Sequence, residues 1–493
     1  MAVRVLLGFS TCIIICIGVS RASGDPLCGL KVRITSSCLN YANTVMINKV
    51  KRNTEGNTIK DISHEGHDLS YWLTSVYVKS LSLSSSSVTI HKDTGIQWSA
   101  RDIDISVSAN YRYRYIKHMA FIPIHISDHG DIDATVSGAT FDVRMEMGID
   151  STRRPSVRSA SCHSYIDRVN VHFSGGGLGP TILNLLSSPI ESYFKNVLRS
   201  TLCDALKKVV DEDLEKSLHR ARITSKIGSK FVLDYGLQAP PVFNTRSMET
   251  FHKGIIYWKN KTEPLPFSPS PFPPATSTNK MVYAWVSGYV FHSLTYKAQM
   301  NDILKKTLTN DDFANGIGGF LNTSCKFGSM CVGKFLPQLQ HQFPHQVVEV
   351  ELKSRKAPNI VLVNGELHLI MNGSMALYVK PPTAPERQYL FTMDVDMASS
   401  IKVRYSAGYL HSKLGKMNFN ICISNSTLHP LYEHALNFIM QNIVKHYMQP
   451  ELDDQGAKGL PLLKSDDIKL INTDLTLTQD AIIIGTDLEV IDI

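Results

Sequence analysis

The chain has 493 residues, 43% of them apolar and 19% charged, with a formal net charge of +7. A charged fraction below the usual quarter excludes a disordered chain, and the apolar content suffices for two or three buried cores. So small a surplus of positive charge excludes a dedicated nucleic-acid binder.

The N-terminus, "MAVRVLLGFSTCIIICIGVSRA", places Arg4 ahead of a mainly apolar run from Val5 to Val19, with Ser20 and Ala22 at -3 and -1 of a cleavage point. Residues 1–22 therefore read as a secretory signal peptide, and the mature protein is expected to be secreted and extracellular. No later stretch has 18 consecutive apolar residues, so no further helix is expected to span a bilayer. Loss of the signal removes Cys12 and Cys16 and leaves Cys28, Cys38, Cys162, Cys203, Cys325, Cys331 and Cys422. In an oxidising compartment most should pair, and the odd number leaves one thiol over or pairs it between chains. Four N-x-S/T sequons, at Asn260, Asn322, Asn372 and Asn425, are candidate glycosylation sites in the second half.

In chain order, "SSCLNYANTVMINKV" reads as a helix. "SVYVKSLSLSSSSVTIHK", "WSARDIDISVSANYRYRYIKH" and "GDIDATVSGATFDVRMEMGID" then alternate with period two, as strands do. A long helix follows, with Leu185, Leu186, Ile190, Phe194, Leu198 and Leu202 at helical spacing. Six prolines in "TEPLPFSPSPFPPATSTNK", residues 262–280, predict an extended, exposed, semi-rigid linker. Beyond it the order repeats. "VVEVELKS", "IVLVNGELHLIMNGSMALYVK" and "QYLFTMDVDMASSIKVRYSAG" alternate, and "LYEHALNFIMQNIVKHYM" is helical. The repeated order suggests a duplicated α+β unit. Each sheet, covered by one helix, holds either a well-packed core or an apolar groove for a lipid chain, with Ile190, Phe194 and Leu198 as the first groove's candidate wall.

No constellation points to catalysis. There is no G-x-S-x-G elbow, and "HEGH" (His64–His67) lacks the same-face spacing of a zinc helix. "SGGGLGP" after a strand reads as a turn, and the pairs Asp102/Asp104 and Asp394/Asp396 read as solvated strand faces. No enzyme activity, metal or cofactor is expected. Two basic clusters are more informative. Lys49, Lys51, Arg52 and Lys60 follow the first helix, where cations complement the macrodipole. Arg112, Arg114 and Lys117 lie in "NYRYRYIKHM", which as a strand separates a tyrosine face from an arginine face. Each cluster fits a solvated surface, and the two together fit an anion site.

Several longer stretches resemble a known family. "GLKVRITSSCLNYAN", "SCHSYIDRVNVHF", "RSTLCDAL", "FVLDYGLQAPP", "KMVYAWVSGYVFHSLTYKAQMNDILKKTLTNDD" and "KGLPLLKSDDIKLINTDLTLTQDAIIIGTDLEV" occur in an order similar to that of bactericidal permeability-increasing and lipopolysaccharide-binding proteins and their lipid-transfer relatives. The resemblance implies an α+β boomerang of two similar barrel-plus-long-helix domains joined by a central antiparallel sheet and the proline-rich linker. It divides the chain into the signal peptide (1–22), an N-terminal lipopolysaccharide- and lipid-binding domain (23–240), the central-sheet and linker segment (241–280) and a C-terminal lipid-binding domain (281–493). It implies a Cys162–Cys203 disulfide. Cys28–Cys38 and Cys325–Cys331 are then the expected local pairs, leaving Cys422. It places Lys49, Lys51, Arg52, Lys60, Arg112, Arg114 and Lys117 together at a cationic tip that binds lipid A, with a phospholipid expected in each apolar pocket. The implied function is innate-immune and antibacterial binding of lipopolysaccharide at the bacterial outer-membrane surface, with extracellular phospholipid or neutral-lipid transfer as the alternative. Residues 23–240 hold 26 Lys+Arg against 22 Asp+Glu, and residues 241–493 hold 23 against 22. The basic excess of the first half is therefore shallow.

Overall fold

Period-two segments too long for a single flat sheet must coil, and this chain coils them with bulges. The computed structural model describes residues 26–58, 61–119, 122–175, 187–273, 279–314, 316–363, 365–380, 386–462, 468–479 and 481–491. β1 (Leu30–Thr35) runs straight into α1 (Ser36–Thr54). β2 (Ile62–Glu65), β3 (Leu69–His91), β4 (Gly95–Met119), β5 (Ile122–Ile149), β6 (Pro155–Tyr165) and β7 (Arg168–Ser174) then form one antiparallel sheet in the order β2-β3-β4-β5-β6, with β7 also on β5. Register shifts interrupt the β3–β4 and β4–β5 ladders, and Ser75 and Asp102 take positive φ there. Such bulges raise the local twist and let strands of more than twenty residues curl.

α2 (Ser187–Lys208) lies against β6 and β7 and continues through a π-helical turn, Val209–Leu214, into Glu215–His219. It buries Leu206, Val210, Leu214 and Leu218, and Cys203 on it is bonded to Cys162 on β6. β8 (Thr224–Ile227), β9 (Phe231–Asp234), β10 (Leu237–Phe243), β11 (Ser247–His252), β12 (Ile255–Trp258) and β13 (Val282–Ser287) lead to α3 (Gly288–Met300). In the second half, β14 (Lys305–Leu308), β15 (Val348–Ser354), β16 (Asn359–Val363), β17 (Glu366–Val379), β18 (Gln388–Ser406), β19 (Tyr409–Leu414) and β20 (Asn418–Ser426) precede α4 (Glu433–Ile443). α4 also passes through a π-helical turn, Val444–Met448, into Gln449–Lys458. β21 (Leu460–Pro461) closes the eight-stranded second sheet, and β22 (Ile468–Leu477) and β23 (Ala481–Val490) end the chain's described part. The expected repeat is present: each half is a long antiparallel sheet over one long helix with a π-helical turn.

The halves meet in a central sheet of order β10-β11-β1-β13-β23-β22, which joins the first strand to the last. β11 and β13 are buried along their whole length. The linker stretch Thr262–Pro273 has no regular structure, but two aromatic residues pin it. Phe267 stacks on His292 at 4.1 Å between ring centroids, with Tyr289 and Tyr296 edge-on, and Phe272 packs over Tyr283 and Trp285. The linker is thus a strap along α3 and the central sheet rather than a free spacer.

Cys325–Cys331 is bonded. Cys28 and Cys38 are both buried, and the expected pair between them does not form. The six residues of β1 stand between them, and at about 3.3 Å per residue an extended strand separates its ends by roughly 20 Å. A disulfide spans Cα atoms less than about 7 Å apart. Cys422 is exposed on β20.

Candidate functional site at the outer end of the first sheet

"NYRYRYIKHM" is the outer part of β4, paired on both sides. Arg112 faces Trp72 and His129, Tyr113 faces Tyr71 and Asp128, Arg114 faces Ser70 and Ser127, and Tyr115 faces Leu69 and Ile126. Strand alternation puts the tyrosines on one face and the arginines on the other. The tyrosine face is graded. Tyr111 is 4% exposed and stands edge-on to Phe173 of β7 at 5.1 Å. Gly130, opposite it, makes the room: a Cβ there would lie 3.0 Å from the Tyr111 ring. Tyr113 is half-buried against Tyr111, and Tyr115 is 39% exposed. Burial, reinforced by Asp128, pushes the Tyr111 and Tyr113 phenols above their ordinary pKa, so both are neutral donors at physiological pH.

Arg112 and Arg114 are exposed neighbours on the other face, and neither forms an ion pair with a described carboxylate. The Arg112 guanidinium lies 5.9 Å from the Trp72 ring.

The first cluster lies elsewhere on the same sheet. Lys51 and Arg52 are exposed in the last turn of α1, and Lys51 is 4.0 Å from Glu55. Hydrogen bonds from Gly56 N to Val78 O and from Val78 N to Asn57 O pin the helix exit beside β3. Trp72 is six residues further along β3, which is about 20 Å. The structure therefore brings Arg112 and Arg114 together and sets Lys51 and Arg52 well back from them. The side chains of Lys49 and Lys117 and the whole of Lys60 lie outside the described residues. Acidic groups share this end: Asp61 caps the Ser75 amide, Asp68 meets His67 at 2.9 Å, and Glu65 and Asp128 lie on the flanking strands.

Sequence reasoning missed one element of this end. β3 begins at Leu69, opposite Tyr115, and β7 reaches β5 only at Asp131. Past those points, among the described residues, β4 and β5 pair only with each other, apart from the Ile116 amide, which donates to the Asp68 carbonyl. On the tyrosine-parity positions of β5 stand Ile122, Ile124 and Ile126, exposed by 67%, 41% and 40%. The signal was legible in "IPIHI", an alternation with isoleucine on one parity.

The second half holds an apolar cleft of about 160 Å³ between its sheet and α4, lined by Met371, Met375, Met397, Met440 and Met448 and rimmed by Lys305, Lys306 and Lys353. The Lys306 ammonium is 3.1 Å from Asp312, which raises its pKa. In the first half, a cleft of about 780 Å³ has a mixed lining that includes the charged residues Arg144, Glu146, Arg158, Asp211 and Glu215. Asp211 and Glu215 accept hydrogen bonds from the Ser159 and Val157 amides, satisfying the open edge of β6. Of the expected lipid wall, Leu198 packs against the main core, and the side chains of Ile190 and Phe194 lie outside the described residues. Asn260 and Asn425 are exposed, whereas Asn322 and Asn372 are half-buried and hydrogen-bond to Asn310 and Asp396. Among the described residues no three His, Cys, Asp or Glu groups gather to hold a metal, and no helix is long and apolar enough to cross a membrane.

Comparison with known proteins agrees with this architecture. Residues 38–216 match the N-terminal domain, and residues 225–490 the C-terminal domain, of the LBP / BPI / CETP family. Bactericidal permeability-increasing protein of Sebastes schlegelii is 23% identical over 466 residues, covering 94% of this chain and 95% of that protein. Lipopolysaccharide-binding protein of Mus musculus is 26% identical over 489 residues, covering 95% of each. A crystal structure of lipopolysaccharide binding protein superposes with a TM-score of 0.60 at 22% identity, over 95% of this chain and 100% of that one, and so shares the fold. With both of its domain models matched along most of its length, this chain belongs to the LBP / BPI / CETP family.

Proposed function

We propose that this protein is a secreted, antibacterial protein of innate defence that binds Gram-negative lipopolysaccharide through lipid A at the outer end of its first sheet. The observation that carries this reading is the Arg112–Arg114 pair, exposed, side by side and without a partner among the described carboxylates, on a strand whose other face carries Tyr111, Tyr113 and Tyr115. Lipid A presents phosphates on a sugar that bears acyl chains. Arginine offers phosphate bidentate, charge-assisted contacts, and the tyrosine face suits the chains. Relatives named as lipopolysaccharide-binding and bactericidal permeability-increasing proteins support the reading. Lys49, Lys51, Arg52, Lys60 and Lys117 add attraction to an anionic outer-membrane surface. Since Lys51 and Arg52 stand beyond the ~8 Å Debye length from Arg112, they act on other headgroups rather than on the same phosphate. Phospholipid in the methionine-lined cleft completes the ligand set. The reading involves no nucleic acid, metal or enzymatic step. It takes residues 23–240 and 281–493 as the two binding units on either side of 241–280, after cleavage of 1–22.

A second reading, extracellular transfer of phospholipid or neutral lipid, is favoured by the acidic residues interspersed at the tip and by the apolar cleft. Binding to immobilised lipopolysaccharide separates the two. Arg112→Glu with Arg114→Glu should lower affinity by at least about tenfold, on the order of 1.4 kcal/mol. Undiminished binding would move the assignment to lipid transfer, to be read by mass spectrometry of co-purifying lipids.

A further inference from the structure

We propose that the β6–β7 turn and the turn of α2 that faces it form a second anion site, in which Lys195, Arg199 and Arg168 take a phosphate or sulfate ester carried by a soluble molecule. The site is separate from the outer end of the sheet. Arg112 faces His129 on β5, and Arg168 faces Ser137, eight residues further along. That is about 26 Å, well beyond the ~8 Å Debye length.

The stretches "SCHSYIDR" and "RSTLC" meet across the Cys162–Cys203 disulfide. Beside it, the Ser164 hydroxyl donates to the Arg199 carbonyl at 2.7 Å. These two ties fix one turn of α2 against the end of β6 and hold two of its cations over one ring. The Lys195 ammonium lies 5.5 Å, and the Arg199 guanidinium carbon 5.2 Å, from the centre of the Tyr165 ring, and Tyr165 is 50% exposed. Lys195 and Arg199 stand at i and i+4, where like charges on a helix repel. The negative face of the ring offsets part of that repulsion and positions both cations.

The nearby carboxylates are already engaged. Asp167 meets Arg168 at 3.4 Å, and Glu191, one turn before Lys195, accepts the Val171 amide at 3.2 Å. Lys195 donates to the Asp167 backbone carbonyl, which leaves two of its three protons. Arg199 forms no ion pair with a described carboxylate, and its Nε is buried without a hydrogen-bond partner. Packing thus grips the guanidinium by its stem and leaves its two terminal amino groups to an acceptor from outside. A tetrahedral oxyanion fits: it receives bidentate, charge-assisted contacts from Arg199, takes the remaining ammonium protons and cancels the repulsion. Among the described residues Tyr165 is the one large apolar side chain exposed at this turn, so nothing here enters an acyl layer. With cations on its ring, Tyr165 is a poor platform for a nucleic-acid base. A soluble ester is therefore favoured over a lipid headgroup or a nucleic acid.

The test uses the full chain and equilibrium dialysis of radiolabelled inorganic phosphate at low salt. Arg112→Glu with Arg114→Glu silences the outer end of the sheet, and in that background labelled phosphate should still bind. Adding Lys195→Gln and Arg199→Gln should then lower the affinity at least tenfold with an unchanged melting temperature. Lys195→Gln alone should lower it severalfold and serves if the double change misfolds. Arg199→Lys, which keeps the charge and loses the fork, should restore only part of the binding, and Tyr165→Ala should weaken it severalfold. Glucose 6-phosphate should displace the label, whereas phosphatidylglycerol vesicles and single-stranded DNA should not. Equal phosphate affinity with and without Lys195 and Arg199 would overturn the site. Displacement by vesicles or by DNA but not by glucose 6-phosphate would overturn the soluble ester as its ligand. Neither result bears on the lipopolysaccharide reading, which stands or falls with Arg112 and Arg114.

Discussion

Arg112 stands directly opposite Trp72 across the β3–β4 ladder, its guanidinium carbon 5.9 Å from the centre of the indole. A guanidinium over an indole face keeps its in-plane donors free, so Trp72 can hold Arg112 extended without consuming the hydrogen bonds a phosphate would take. Arg114, opposite Ser70, has no such ring beside it among the described residues.

Trp72→Ala should therefore weaken lipopolysaccharide binding modestly, by roughly two- to fivefold, which corresponds to the ~0.5–1 kcal/mol of an exposed cation–π contact. Surface plasmon resonance on immobilised lipopolysaccharide reads the change. The loss should vanish in an Arg112→Gln background, because the indole then has no cation to position.

The two disulfides should differ in what they contribute. Cys162 and Cys203 are separated by 41 residues and Cys325 and Cys331 by 6. Chain entropy assigns the longer loop roughly 4 kcal/mol and the shorter roughly 2 kcal/mol. Cys203→Ser should accordingly lower stability in urea more than Cys331→Ser does. Equal losses would point to packing rather than loop closure as the source.

His252 sets an acid limit. It is buried on β11 in the central sheet, where Nδ1 donates to the Tyr235 carbonyl at 2.8 Å and Nε2 meets the Thr250 hydroxyl at 2.9 Å. Burial pushes its pKa down to about 4, against an opposing pull from the Tyr235 carbonyl. The unfolded chain, with a pKa near 6.5, takes up the proton first, so the stabilisation is complete above about pH 6.5 and drains away as the pH falls towards 4. The difference is about 3 kcal/mol. His252→Gln should flatten the stability profile between pH 6.5 and 4 while the parent loses that amount.

The strands, the two long helices and the repeated order were legible because alternation and helical spacing are local properties of the chain. The central sheet was legible only through the family resemblance, and its pairing was not. β1 pairs with β11 and β13, more than two hundred residues away, through backbone hydrogen bonds that side-chain patterns do not encode. The same strand explains the failed Cys28–Cys38 pairing: ten residues look close in sequence, but six of them are extended. At the tip, alternation separated the arginines from the tyrosines. It did not reveal that Phe173 of β7 covers Tyr111 while nothing described covers Ile122. Burial along a strand depends on where its neighbours end, and that is set by register.

The methionine-lined cleft gives the last prediction. Met375 and Met440 are buried and Met371 is half-buried at the cleft's side. An apolar cavity of about 150 Å³ stays dry and takes a benzene-sized guest. At about 160 Å³ this cleft admits only a short length of acyl chain as it stands. Methionine is unbranched and adapts its shape, so a cleft with five of them can widen when a longer chain enters. Lys353 and Lys305, paired in register on β15 and β14, stand at the rim. Lys305 is already 3.6 Å from Glu351, so Lys353 is the rim cation left for a phosphate headgroup. Met371→Phe should fill much of the cleft without burying a polar group, and phospholipid recovered by mass spectrometry from the purified protein should fall severalfold. Overpacking costs about 1–3 kcal/mol, so the variant remains folded and its melting temperature drops by a few degrees. Lys353→Glu should leave stability within about 0.5 kcal/mol and shift the recovered lipids towards zwitterionic or neutral headgroups. Unchanged lipid content and composition in both variants would mean that the cleft is packing space and that any carried lipid sits elsewhere.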